Sequence, residues 1–363
     1  MSLENLLASP LITVLRHDRR AQFSAGLCIG LIAIQQIGYS KRRSPVRGLV
    51  HFWVVDVPRA VVAAFARPAS QFGLVRIART FYIRWLFGGK TEDVRAMLNT
   101  ANEKELETQT KKGLKVVEVC EDFEGGTVKG RWFIHDEIMR ENTICLLWFH
   151  GGGYVFQNAA NGAAHHYELL KEFNNSPLAF DEADPAKKSR RLDKFPTQLL
   201  EAVAAYQWLV SVKSVKKLVV GGDSAGAHLA IALMNAITTR LQHVPVKPIA
   251  SVLMAPWVNP FLKENAKIFS DASFRAPFDY CDFTNNKTAI HTAEKGTLVI
   301  YGSIEIIVDS IRSFVARLRN QNTVGLEVYE YPNEMHCFNK HNPISGNGRD
   351  ALVKTAAFLH KLF

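Results

Sequence analysis

Five consecutive residues, Gly222-Asp223-Ser224-Ala225-Gly226, put a serine hydroxyl where it could attack a carbonyl carbon. The apolar run Leu218-Val219-Val220 precedes them and Leu229-Ala230-Ile231-Ala232-Leu233 follows. That pattern predicts a buried strand turning sharply into a helix, with Ser224 held out at the turn. Small residues flank the serine because a bulky Cβ would clash where strand and helix meet. A serine hydroxyl is a weak nucleophile at neutral pH, so it needs a base within hydrogen-bond reach and a carboxylate to orient that base. The second stretch suited to such chemistry is His150-Gly151-Gly152-Gly153-Tyr154, directly after the apolar run Leu146-Leu147-Trp148-Phe149. Three successive glycines cost backbone entropy and add no packing, so they belong where main chain must approach something closely. Backbone N–H groups aimed at a developing oxyanion need that approach, and each is worth about 3 kcal/mol in the transition state.

With both motifs in this order, each after a predicted strand, residues 114–363 resemble the α/β-hydrolase fold and, within it, the hormone-sensitive-lipase-like esterases. The resemblance implies an α/β architecture: a mostly parallel, doubly wound sheet flanked by helices. It implies two-step acyl transfer through an acyl-enzyme on Ser224, with the oxyanion held by the N–H groups of Gly151, Gly152 and Ala225, and with no cofactor or metal. It also implies the chain order serine, acid, histidine. His336, in Glu334-Met335-His336-Cys337-Phe338 just past the last predicted strand, is then the expected base, and His341 its nearest competitor. Two acids compete in Glu305-Ile306-Ile307-Val308-Asp309. Glu305 lies in the loop soon after a predicted strand and is preferred; Asp309 is the alternative and stands where a helix begins, a position that also suits an N-cap. Asp223 is read as stabilising the turn.

The elements that must position these groups follow from periodicity. Alternating segments at 114–119 and 127–134 around Glu124-Gly125-Gly126 suggest a hairpin; strands are expected at 144–149, 250–255, 297–301 and 326–331, and helices at 311–318 and 351–363. Strands alternating with helices argue for a parallel sheet. One stretch departs from the family pattern. Where a further central strand is expected, Ser176-Pro177-Leu178-Ala179-Phe180-Asp181-Glu182 offers three apolar residues in a row before a charged segment, whereas a strand covered on both faces normally carries a longer run. A very short strand, a divergent loop or a missing piece of core are all open. His165 and His166 read as surface or packing histidines, since neighbours on a helix point in different directions. Residues 258–293, with loosely spaced aromatics, read as a cap insertion, and 91–113 as a polar linker or exposed helix.

The net charge of +10 is unevenly placed: residues 1–90 hold 13 Lys and Arg against three acids, leaving 31 of each sign for the rest. Nucleic acid is disfavoured, because these basic residues are interleaved with apolar runs and match no recognition motif. A membrane surface fits better. Residues 21–40 carry no charge, lie between Arg16/Arg19/Arg20 and Lys41/Arg42/Arg43, and as a helix would span about 30 Å. A transmembrane anchor and a cap helix docked on the enzyme are both open, and the anchor is preferred. Residues 1–90 are thus expected to be a membrane-anchor or cap region. Five cysteines show no metal-ligand spacing and leave the redox compartment undecided. With Lys194-Phe195-Pro196-Thr197-Gln198-Leu199 and this N-terminal region, the chain is similar to the fungal steryl acetyl hydrolases. That similarity implies an endoplasmic reticulum membrane anchor, a lumenal catalytic domain and a small hydrophobic ester, such as an acetylated sterol, as substrate. The alternatives are a general small-ester hydrolase and a ligand-binding homologue without catalysis.

Overall fold

The computed structural model describes residues 91–363 apart from 124–125, 135–143, 173–177, 184–196, 260–282, 285–289, 342 and 345. Eight strands form one sheet: β1 (Lys115–Phe123), β2 (Gly126–Ile134), β3 (Ile144–Phe149), β4 (Leu178–Ala183), β5 (Lys217–Asp223), β6 (Ala250–Met254), β7 (Gly296–Gly302) and β8 (Leu326–Tyr331), in the order β1-β2-β4-β3-β5-β6-β7-β8. β1 and β2 pair antiparallel, as the expected hairpin, and β2 pairs antiparallel with β4. From β4 to β8 every pair is parallel.

Parallel strands need helical crossovers, which cover both faces, so the inner strands must be apolar on both sides. β3, β6 and β7 are buried at every residue. The two-residue period then sorts their side chains. Cys145, Leu147 and Phe149 of β3 join one core with Tyr206, Ile231 and Phe314, from α3 (Thr197–Ser211), α4 (Ala225–Arg240) and α5 (Val308–Asn320). Ile144, Leu146 and Trp148 join the other with Leu106, Leu169 and Phe358, from α1 (Thr91–Lys111), α2 (Ala163–Glu172) and α7 (Gly346–His360). A four-residue helix, α6 (Phe338–His341), precedes α7. α4 is buried along its first thirteen residues, Ala225 to Ile237, which is why its sequence is apolar all round rather than striped.

Two readings left open are resolved. The segment of doubtful strand character is a strand: β4 runs for six residues through Asp181 and Glu182, matched along its whole length to β3 and at Trp132 and Phe133 to β2. Backbone pairing on both sides holds it in the sheet despite its short apolar run. Of linker and exposed helix, residues 91–111 take the second: they form helix α1, within one compact unit spanning Thr91–Phe363. Val94 and Leu106 are buried on its inner side, as are the polar residues Asn102 and Gln109. The expected segment 1–90 with its membrane helix at 21–40, and most of the cap insertion at 258–293, lie outside the described residues. Among the described residues no helix is long and apolar enough to cross a membrane, and no three metal-ligating side chains cluster.

Candidate active site

Ser224 stands between β5 and α4 at φ 54°, ψ −117°. A non-glycine residue at positive φ costs on the order of 1–3 kcal/mol and persists only where its surroundings enforce it. Here they do: the Ser224 N–H donates to the Met254 carbonyl at the end of β6 (2.9 Å), and its own carbonyl accepts from Trp257 N–H (3.0 Å) and His228 N–H (3.1 Å). The flanking glycines answer to sterics. A Cβ on Gly226 would overlap the Phe149 carbonyl, and one on Gly222 would overlap the backbone of Gly226.

β7 ends at Gly302, and the chain turns back so that the Gly302 N–H donates to Glu305 Oε1 (2.7 Å). The other carboxylate oxygen, Oε2, meets His336 Nδ1 at 2.9 Å, and His336 Nε2 meets Ser224 Oγ at 2.8 Å. The Glu305 side chain is fully buried, while the imidazole keeps 36% of its surface exposed, so the relay opens toward solvent at the serine end. Burial alone would lower the proton affinity of His336; Cys337 and Glu305 beside it outweigh that and hold its pKa well above the ordinary value. Burial also raises the Cys337 pKa. The other acid, Asp309, lies in the first turn of α5 with its side chain 96% exposed and 3.6 Å from Arg312. His341 closes α6.

The glycine loop runs from β3 past the nucleophile with positive φ at Gly152 (114°), Gly153 (63°), Tyr154 (62°) and Gln157 (79°). A Cβ on Gly152 would overlap the Phe156 carbonyl. Anchors on two sides hold the loop. Tyr154 O–H bonds His228 Nδ1 on α4 (2.6 Å). From α1, Arg95 Nε–H donates to the Val155 carbonyl (2.7 Å), Asn102 to Gln157 (2.7 Å), and Asn158 donates back to Glu103 (2.6 Å). Of the expected oxyanion donors, Gly151 lies against the Asp223 carboxylate, which comes so close that a Cβ on Gly151 would overlap it. The Ala225 N–H opens α4, where the first-turn donors have no intrahelical acceptor.

Asp223 does more than shape the turn. It is buried, its carboxylate lies 2.8 Å from Lys340 Nζ and 3.4 Å from Trp148 Nε1, and although burial pushes its pKa up, Lys340 brings it below the ordinary carboxylate range. Nothing local in the sequence marks Lys340, whose partner is 117 residues away. His165 and His166 are buried rather than on the surface, with ring centroids 6.1 and 5.5 Å from Trp148.

A neutral imidazole is required of a general base, so a raised His336 pKa means that kcat/KM falls as pH drops through a value above the unperturbed imidazole pKa of about 6.5. A pH–rate profile checks this, and an acid limb centred at or below 6.5 would contradict it.

Comparison with known proteins places this geometry in context. The chain is 26% identical over 238 residues to an acetyl-hydrolase of Streptomyces hygroscopicus, covering 61% of this chain and 76% of that one. It is 24% identical over 123 residues to steryl acetyl hydrolase 1 of Saccharomyces cerevisiae, covering 34% and 28%. The fold is similar to the crystal structure of esterase LipW from Mycobacterium marinum, with a TM-score of 0.63 and 17% identity over 75% of this chain and 90% of that one. Residues 146–340, more than half of the chain and the span from the glycine-loop strand through Lys340, match the family model described as alpha/beta hydrolase fold, and the chain belongs to that family.

Proposed function

We propose that the chain hydrolyses carboxylic esters through an acyl-enzyme on Ser224, with His336 as general base and Glu305 as the acid that orients it. The observation that carries this reading is the continuous relay Glu305–His336–Ser224, at 2.9 and 2.8 Å. Glu305 holds the imidazole with Nδ1 protonated, leaving Nε2 to take the hydroxyl proton as Oγ attacks the ester carbonyl. The carbonyl oxygen becomes an oxyanion held by the N–H groups of Gly152 and Ala225. His336 then returns the proton to the departing alcohol. Water attacks the acyl-enzyme with His336 again as base, which releases the acid and frees Ser224. The reaction class is carboxylic ester hydrolysis.

The finer part of the proposal is the substrate: a short acyl group, acetate above all, on a hydrophobic alcohol such as a sterol. It is supported by the names of the acetyl-hydrolase and steryl acetyl hydrolase relatives. Attachment to the endoplasmic reticulum membrane through residues 21–40, with a lumenal catalytic domain, belongs to the same proposal and rests on the uncharged run between basic flanks. The test uses the full chain on washed membranes. p-Nitrophenyl acetate, butyrate and decanoate are compared with cholesteryl acetate, and the pellet is extracted with alkaline carbonate. The expected result is activity falling with acyl length, release of cholesterol and retention in the pellet. Turnover of p-nitrophenyl acetate without sterol release would leave a general small-ester hydrolase in place of the steryl reading. Release into the carbonate supernatant would remove the anchor.

A further inference from the structure

Behind the nucleophile lies a buried ion pair that the relay does not use. Lys340 Nζ is 2.8 Å from Asp223 Oδ1, and the two side chains are 6% and 5% exposed. Removing two charges from water is costly unless each is fully hydrogen-bonded. Here each is: the carboxylate also accepts from Trp148 Nε1–H and Cys337 Sγ–H, and the ammonium also donates to Asn161 Oδ1. Two glycines make the room. A Cβ on Gly151 would overlap the carboxylate, and one on Gly162, at φ 81°, would come within 2.6 Å of Lys340 Cε. The pair therefore occupies a space the backbone leaves for it.

Its position gives it a use. Asp223 immediately precedes the nucleophile, Gly151 immediately precedes an oxyanion donor, and Lys340 follows the base by four residues. Cys337, next to the base, also directs Sγ at the Asp223 carboxylate across 3.8 Å. One carboxylate thus touches all three loops that must stay in register. The other titratable groups facing the pair are His165 and His166 of α2, Glu105 of α1, His150 and Cys337. Burial, together with the Lys340 charge, pushes the pKa of His165 down to about 4 and that of His166 well below the ordinary value. Both imidazoles are neutral, so Lys340 is the cation that faces Asp223.

We infer that Lys340 is a positioning residue for ester hydrolysis: through its ion pair with Asp223 it holds the Gly151 end of the glycine loop, and so the oxyanion donors, in register with Ser224 and His336. The inference rests on the serine-hydrolase reading above. Misplacing a catalytic group by about 1 Å can cost on the order of 100-fold, so the effect belongs in kcat rather than KM.

The experiment compares the full-length wild type with Lys340→Met, Asp223→Asn and the double variant. It measures thermal melting, kcat and KM on p-nitrophenyl acetate, and inhibition by an aryl trifluoromethyl ketone, whose adduct with Ser224 carries the oxyanion. The expected result for Lys340→Met is a kcat lower by about 10- to 100-fold, KM little changed, and inhibition weakened by the same factor as kcat/KM. A folded Lys340→Met with wild-type kcat and inhibitor affinity overturns the inference. If that variant does not fold because it strands a buried carboxylate, the double variant, which carries no such charge, is read instead. Loss of kcat and inhibitor affinity together supports the inference, and wild-type values for both overturn it. A wild type without turnover, or turnover that survives Ser224→Ala, would instead sink the hydrolase reading itself, so the two failures are distinguishable.

Discussion

Replacing Ser224 by alanine removes ester turnover: kcat on p-nitrophenyl acetate falls by about 10,000- to 1,000,000-fold, while the circular dichroism spectrum and melting temperature hold. The expectation of an intact fold comes from the geometry. The strained φ of 54° at this position is enforced by backbone bonds to Met254 and Trp257, which alanine keeps, and the hydroxyl meets His336 at 2.8 Å. Removing Oγ thus deletes the nucleophile without a packing loss of any size. Turnover within about tenfold of wild type would show that the hydrolysis measured is not carried by this serine. A folded wild type that binds esters and turns none over would move the chain to the ligand-binding members of its fold.

Glu305→Gln should lower kcat by about 10,000-fold, the scale seen when the orienting acid of a serine triad becomes an amide. The substitution keeps the shape of a fully buried side chain and an oxygen for the Gly302 N–H. What it changes is the face presented to His336 Nδ1: an amide N–H there favours the tautomer with the proton on Nε2, which cannot accept one from Ser224. Asp309→Asn is the matched control. Its side chain is exposed and paired only at 3.6 Å with Arg312, so kcat should stay within about threefold of wild type, the range of an ordinary surface substitution. Steady-state kinetics on the two variants reads the contrast directly, and the reverse ranking would return the acid to Asp309.

The contrast between these acids marks how far the sequence reaches. Glu305 and Asp309 are four residues apart in one loop-to-helix segment, and neither composition nor spacing separates them. The separation comes from the turn after β7, which folds Glu305 back onto the Gly302 N–H and sends Asp309 out on the first turn of α5. Gly151 teaches the same lesson. Three glycines after a strand do signal a close backbone approach, but at Gly151 the approaching group is the Asp223 carboxylate. Helix α1 could not be told from a linker because it attaches less by an apolar stripe than by hydrogen bonds to the glycine loop, through Arg95, Asn102 and Glu103. β4 was obscured because backbone pairing to neighbours on both sides, rather than a long apolar run, keeps it in the sheet.

By itself the sequence determined what is local and covalent: a strand, a serine between small residues and a helix; a strand and a glycine loop; a histidine after the last strand. Each is legible because strand and helix periods are written in neighbouring residues, and because strained or crowded backbone admits few residue types. Only the tertiary structure decided which acid meets His336, which glycine the Asp223 carboxylate lies against, and that Lys340 pairs with Asp223 behind the nucleophile. These are contacts between residues 31 to 117 positions apart, and their geometry comes from the order and twist of the strands that carry the loops, which no short stretch of sequence contains.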